Sequence, residues 1–203
     1  ALQTQMGIDP KYVDCLRVTD AASRQLVEMV LCGTVNKRLT RTLVNNGVDA
    51  VGMSGVDRGL VRAGKMQMPG QDMGFTGVVE SVRGEVLLEL LAQQVTPVIA
   101  PICIGEHHNY NVNADHVAGA IGGALDAERL VFLSNVPGVL HNGEVVSQLT
   151  PAQTEAMIES GVIFGGMIPK VRTALHALND GVKQAVITNL DGLVTRGGTV
   201  FTP

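Results

Sequence analysis

The sequence has no tryptophan, and aromatic residues make up 3 % of its 203 positions. Its core must therefore be built from Val, Leu, Ile, Ala and Met rather than from rings. Charged residues are also sparse, at 17 % against 45 % hydrophobic. That is the reverse of the balance that keeps a chain disordered. The formal net charge is −4, no basic stripe occurs, and there is almost nothing for bases to stack on. These absences point away from a nucleic-acid partner. No apolar run approaches the ~20 residues of a membrane span, and the start has no signal-peptide layout. Cys15, Cys32 and Cys103 are odd in number and far apart, with no C-x-x-C. They read as buried thiols in a reduced, cytoplasmic protein.

What is present is aliphatic sequence punctuated by 24 Gly, as tight strand–helix turns require. Residues 1–9 read as the tail of a helix ended by Gly7 and Pro10. Thr19 or Asp20 can cap a long helix in which Leu26, Val30, Leu31, Val35, Leu39 and Leu43 recur at helical spacing, closed by Asn46-Gly47. Further helices are expected over 84–94, 115–126, 150–161 and 167–181. Thr150 and Pro151 mark a helix entry. Strands are expected over 49–55, 59–66, 75–82, 96–104, 129–134, 183–188 and 198–201. The runs at 96–104 and 129–134 read as covered on both faces. This alternation predicts an α/β three-layer sandwich, with a mostly parallel central sheet and helices on both faces. A division falls near 120–128.

Open α/β sheets bind ligands outside the carboxyl ends of their strands. Short polar residues occupy four such ends: Ser54 and Asp57; Asn111, Asn113 and Asp115; Ser134 and Asn135; Thr188 and Asn189. In "NYNVNADHVAGAI" the two amides and the carboxylate have period-two spacing, so an extended segment points all three one way. They serve a ligand, or else an Asn/Asp turn with a helix cap. "GVIFGGMIPK" puts Gly165-Gly166 at a helix start and Lys170 in its first turn. The helix dipole disfavours a cation there unless an anion joins it. "NVPGVLHNGEV" is either a plain loop or one whose backbone holds a nucleotide. Arg17 suits a fork with a carboxylate or a surface ion pair. His107-His108 lacks a third metal ligand and reads as a loop feature.

Taken in order, "LRVTD" (16–20), "VEMVLCGTVNK" (27–37), "AVGMSGVDRGLVRA" (50–63), "GFTGVVESV" (74–82), "PVIAPI" (97–102), "YNVNADHVAGAI" (110–121), "LVFLSNVPGVL" (130–140) and "GVIFGGMIPKV" (161–171) resemble the N-acetylglutamate kinases of the amino acid kinase superfamily. The resemblance implies ATP-dependent phosphorylation, with Mg²⁺, of the side-chain carboxylate of N-acetyl-L-glutamate in arginine biosynthesis. It implies that Arg17 pairs with the α-carboxylate, that Asn111 and Asn113 bind substrate, that Lys170 neutralises the phosphoryl group in flight, and that Asp115 orients lysines. Nucleotide would lie against Ser134, Asn135, Val136, Pro137, Gly138, Val139 and Leu140, and against Val162, Ile163, Phe164 and Gly166. No protein metal ligand is implied. Residues 1–121 would form a substrate-binding and dimerisation lobe and 122–203 a nucleotide-binding lobe over one continuous sheet, with a homodimer through the helix at about 20–45.

The chain departs from the family pattern in three places. Asn135 stands where Asp is usual, and Cys15 where Gly is usual. The family's opening K-x-G-G strand and Gly-rich turn have no counterpart, so an N-terminally truncated, nearly inactive chain is expected. The alternatives are a kinase for a longer acyl-amino acid such as N-acetyl-aminoadipate, and a catalytically dead ligand-binding remnant.

Overall fold

The computed structural model describes Gly7, Lys11–Val13 and residues 16–203. Cys15 and nearly all of the helix tail expected at 1–9 lie outside the described residues. The chain divides into two compact units, Ala1–Val117 and Ala118–Pro203.

The first unit opens with an antiparallel hairpin of β1 (Lys11–Val13) and β2 (Leu16–Val18). The long helix follows in three parts: α1 (Ala21–Glu28), a π-helical stretch (Met29–Val35) and α2 (Asn36–Asn45). Asp20, not Thr19, caps it, its Oδ1 accepting from the Ser23 N–H at 2.8 Å. That hydrogen bond holds the Asp20 carboxyl below its ordinary pKa. The widened turns end at Asn36, which is buried and donates to Met53 O at 3.1 Å and Val98 O at 2.7 Å. One amide thus ties the helix to two strands. The rest of the unit is β3 (Ala50–Gly55), β4 (Val61–Met68), β5 (Gln71–Val82), α3 (Gly84–Ala92), β6 (Thr96–Ile104) and β7 (Asn109–Val112). The helix α4 (Ala114–Ala124) follows, and the unit boundary falls within it. The sheet order is β3-β6-β4-β5-β7, and β7 also pairs with β6. The β4–β5 and β6–β7 pairs are antiparallel and the others parallel.

The second unit contains β8 (Leu130–Leu133), a small hairpin of β9 (Leu140–His141) and β10 (Glu144–Val145), β11 (Gln148–Leu149), α5 (Pro151–Glu159), α6 (Met167–Asn179), β12 (Ala185–Thr188), α7 (Leu190–Thr195) and β13 (Thr199–Phe201). Its sheet runs β11-β13-β12-β8. The central strand β12 is buried along its whole length. Phe201, Ile187, Val171, Ala174 and Ala177 pack into one core with it. Thr150 and Gln153 form a reciprocal capping box at α5, with Pro151 in the first turn.

The α/β class holds, and within the two larger sheets parallel pairs outnumber antiparallel ones. Two expectations need correction. Backbone pairing forms two separate larger sheets rather than one continuous sheet. The strand β8 is not covered on both faces: Leu130 and Phe132 pack on the core, while Val131 and Leu133 are 36 % and 54 % exposed. Among the described residues it is an edge strand, hydrogen-bonded only to β12.

At one point the backbone leaves no room for any side chain. Gly74, at φ 62°, lies where β5 meets the residue after β2, and a Cβ there would sit 2.3 Å from Thr19 O. The same carbonyl accepts from the Phe75 N–H at 2.6 Å. Gly74→Ala is therefore expected to destabilise the fold by about 2 kcal/mol or more, seen as a lower urea midpoint at unchanged slope.

Candidate active site

The first unit holds a cleft of about 460 Å³, lined by Arg17, Asn111, Asn113 and Asp115 together with Tyr12, Leu31, Met66, Thr76 and Pro101. The four polar residues singled out by pattern therefore meet in one cavity. They do so by a different route from the one expected. Arg17 belongs to β2 and Asn111 to β7, whereas Asn113 and Asp115 lie beyond the end of β7. Asn113 Oδ1 accepts from the Asp115 N–H at 2.8 Å, and Asp115 lies in the first turn of α4. The turn-and-cap geometry and the shared cleft occur together.

At the cleft lies a buried threonine pair that pattern reading did not find. Thr19 is 0 % and Thr76 6 % exposed, and their hydroxyls are 3.1 Å apart. Thr76 Oγ1 is 2.7 Å from Arg17 O and accepts from the Thr19 N–H at 3.1 Å. Asn111 Nδ2 donates to Thr19 Oγ1 at 3.1 Å. Each hydroxyl has one proton. The shorter contact gives that of Thr76 to Arg17 O, which leaves that of Thr19 for Thr76. The result is a directed chain from the Asn111 amide through two threonines to the main chain of Arg17, and it fixes which end of the amide is nitrogen. Tyr12, across the β1–β2 hairpin, accepts from Arg17 Nη2 at 2.8 Å through its hydroxyl, with the guanidinium carbon 5.3 Å from its ring centroid.

In the second unit, Lys170 in the first turn of α6 turns its ammonium to the tip of β8. Nζ donates to Ser134 Oγ at 2.6 Å and to Asn135 Oδ1 at 3.1 Å. Gly166 occupies the N-cap of α6 without a side-chain cap; the Met167 and Ile168 N–H groups donate to Phe164 O and Gly165 O, each at 3.2 Å, and Pro169 has no N–H to offer. The loop from 136 to 140 is anchored from below. Thr199 Oγ1 accepts from the Val139 N–H at 2.8 Å, and Gly138, at φ 153°, would place a Cβ 2.7 Å from the same oxygen. Among the residues expected against nucleotide, Val139 and Ile163 put their side chains in the core, so only their backbones are available. Asn135, Leu140, Phe164 and Gly166 are exposed, whereas Ser134, Val136, Pro137 and Val162 are half-buried.

The remaining strand-end polar groups serve the fold. Asp57 Oδ2 accepts from the N–H and hydroxyl of Ser54 at 2.6 and 2.8 Å. Thr188 donates to Gly197 O at 2.8 Å, and Asn189 Oδ1 caps α7 through the Gly192 N–H. His108 sits edge-on to Phe75 at 5.3 Å. Burial pushes the Cys103 thiol up to about 12 and raises that of Cys32 as well, so neither is a thiolate at neutral pH.

The sequence pattern of the amino acid kinase family matches residues 1–189. The chain belongs to this family. Its relatives include the acetylglutamate kinase of Roseiflexus sp. (strain RS-1), 52 % identical over 99 % of this chain and 77 % of that protein. Another is the acetylglutamate kinase of Methanopyrus kandleri, 45 % identical over 97 % of this chain and 83 % of that protein. Among solved structures, smu.665 from Streptococcus mutans superposes with a TM-score of 0.85 at 31 % identity, over 99 % of this chain and 80 % of that one. Giardia carbamate kinase, at 13 % identity and a TM-score of 0.62 over 89 % of this chain and 72 % of that one, shares the fold.

The hydroxyl chain has a direct test. Thr76→Val keeps the shape but strips the buried Thr19 N–H of its side-chain acceptor, and should cost ~1–3 kcal/mol. Thr76→Ser should stay within about 1 kcal/mol of wild type. Urea denaturation of both variants measures this.

Proposed function

We propose that this chain carries the acyl-amino-acid and nucleotide sites of an acetylglutamate kinase. The reaction transfers the γ-phosphoryl group of ATP to the side-chain carboxylate of N-acetyl-L-glutamate, in arginine biosynthesis. A carboxylate oxygen attacks the γ-phosphorus and the bond to the ADP oxygen breaks. The products are N-acetyl-L-glutamyl 5-phosphate and ADP. The nucleophile is ionised at neutral pH, so no general base is needed, and catalysis consists of placement and charge stabilisation.

The observation that carries the reading is the gathering of Arg17, Asn111, Asn113 and Asp115 around one cleft of about 460 Å³. In this reading the Arg17 fork takes the α-carboxylate, and the two amides take the acylamino group. Leu31, Met66 and Pro101 supply an apolar wall. Lys170, on Ser134 and Asn135, offsets charge on the transferring phosphoryl group, and Asp115 orients the cations around the phosphates. Among the described residues no three His, Cys, Asp or Glu side chains cluster as metal ligands. Magnesium enters as the nucleotide complex, held by phosphate oxygens and water.

The first unit is the substrate and dimerisation lobe, and the second binds nucleotide. A homodimer forms through the helix at about 20–45, where Met29 of the π-helical stretch and Leu39 and Val44 of α2 stand about half exposed. The protein works in a reducing cytoplasm, where Cys32 and Cys103 stay free. No helix among the described residues is long and apolar enough to cross a membrane.

Calorimetry should show saturable binding of N-acetyl-L-glutamate, stronger than that of N-acetyl-L-2-aminoadipate. Arg17→Leu should weaken it ~10- to 100-fold, the loss of a charged hydrogen-bonded fork. With ATP, acyl phosphate trapped as the hydroxamate should fall ~100-fold or more in Lys170→Met. Absence of binding by either acid overturns the reading. A preference for the longer acid reassigns the substrate.

A further inference from the structure

We propose that Tyr12 is a positioning residue for Arg17, and that it makes the cleft selective for an α-carboxylate. The proposal rests on the assignment of Arg17 above. In the β1–β2 register Tyr12 stands directly opposite Arg17, so both side chains project from the same face of the hairpin. The tyrosine grips the guanidinium twice. Its hydroxyl accepts from Arg17 Nη2 at 2.8 Å, which fixes the guanidinium in its own plane. Its ring stands 5.3 Å from the guanidinium carbon, near enough for a cation–π contact. A guanidinium carries five donors in a rigid fork, so it can hold a phenol oxygen and other acceptors at the same time.

Two features set Tyr12 apart from a tyrosine that merely fills space. It is 56 % exposed, so its ring is not core. It also lines the same cleft as Arg17 and Asn111. The main chain of Arg17 is secured separately, by Thr76 at its carbonyl. A long, flexible side chain on a fixed backbone still loses rotamer freedom when it captures an anion, and a partner that holds it beforehand removes part of that cost.

The test compares two ligands. One is N-acetyl-L-glutamate. The other is its analogue with a carboxamide in place of the α-carboxylate. Tyr12→Phe removes the hydroxyl and keeps the ring, while Tyr12→Leu removes both. Calorimetric titration should show the acid bound ~3- to 10-fold more weakly by Tyr12→Phe and ~10-fold or more weakly by Tyr12→Leu. The carboxamide analogue should change less than about twofold in either variant, since it makes no charged fork with Arg17. Circular dichroism melting should be unaltered in Tyr12→Phe. Equal losses for both ligands, or an unchanged acid affinity in Tyr12→Leu, overturn the proposal and leave the kinase reading standing. Failure of the wild-type chain to bind the acid overturns both.

Discussion

Two buried threonines hold the cleft of the first unit in shape. Thr19 follows β2 and Thr76 lies in β5, and through them Asn111 of β7 is tied to the main chain of Arg17. Three strands that are distant in sequence are thus locked at one height. A buried polar group without a partner is costly. A closed chain of such groups therefore defines one arrangement and penalises its neighbours. Gly74 belongs to the same construction, because the strands can approach this closely only where a side chain is absent.

The second unit solves a different problem with similar economy. It gathers an ammonium and short polar tips at the end of an edge strand, beside an uncapped helix start. Among the described residues, Cys103 and Cys32 are both pushed away from ionisation by burial. Chemistry that needs only placement and opposite charge suits such a chain, and chemistry that needs a nucleophile of its own does not.

Much of this was legible in the sequence wherever the signal is local. Thr150, Pro151 and Gln153 announce α5 within four residues, and Pro69-Gly70 announces the β4–β5 turn. Asn111, Asn113 and Asp115 were found because strand tips and helix starts lie close together along the chain. The small hairpin of β1 and β2, the strand β7 and the short helix α7 were not anticipated, because elements of three to six residues take their identity from partners rather than from periodicity. Thr19 looked like a cap and instead bridges to Gly74. Thr76 and Tyr12 carried no signal at all. Their importance depends on strand register, which fixes who stands opposite whom and is invisible in one dimension. The exposure of β8 was missed for the same reason, since an apolar run does not say whether its strand lies at the centre or the edge of a sheet.

Lys170 deserves a last consideration for the company it keeps. Its two acceptors, a hydroxyl and a carboxamide, orient the ammonium without cancelling it. A carboxylate in place of Asn135 would pair with the cation and confine its field to a short dipole. Held by neutral oxygens, the full positive charge projects outward until mobile ions screen it, over about 8–10 Å at physiological ionic strength. The trade is a looser tether in return for a longer reach toward an approaching polyanion.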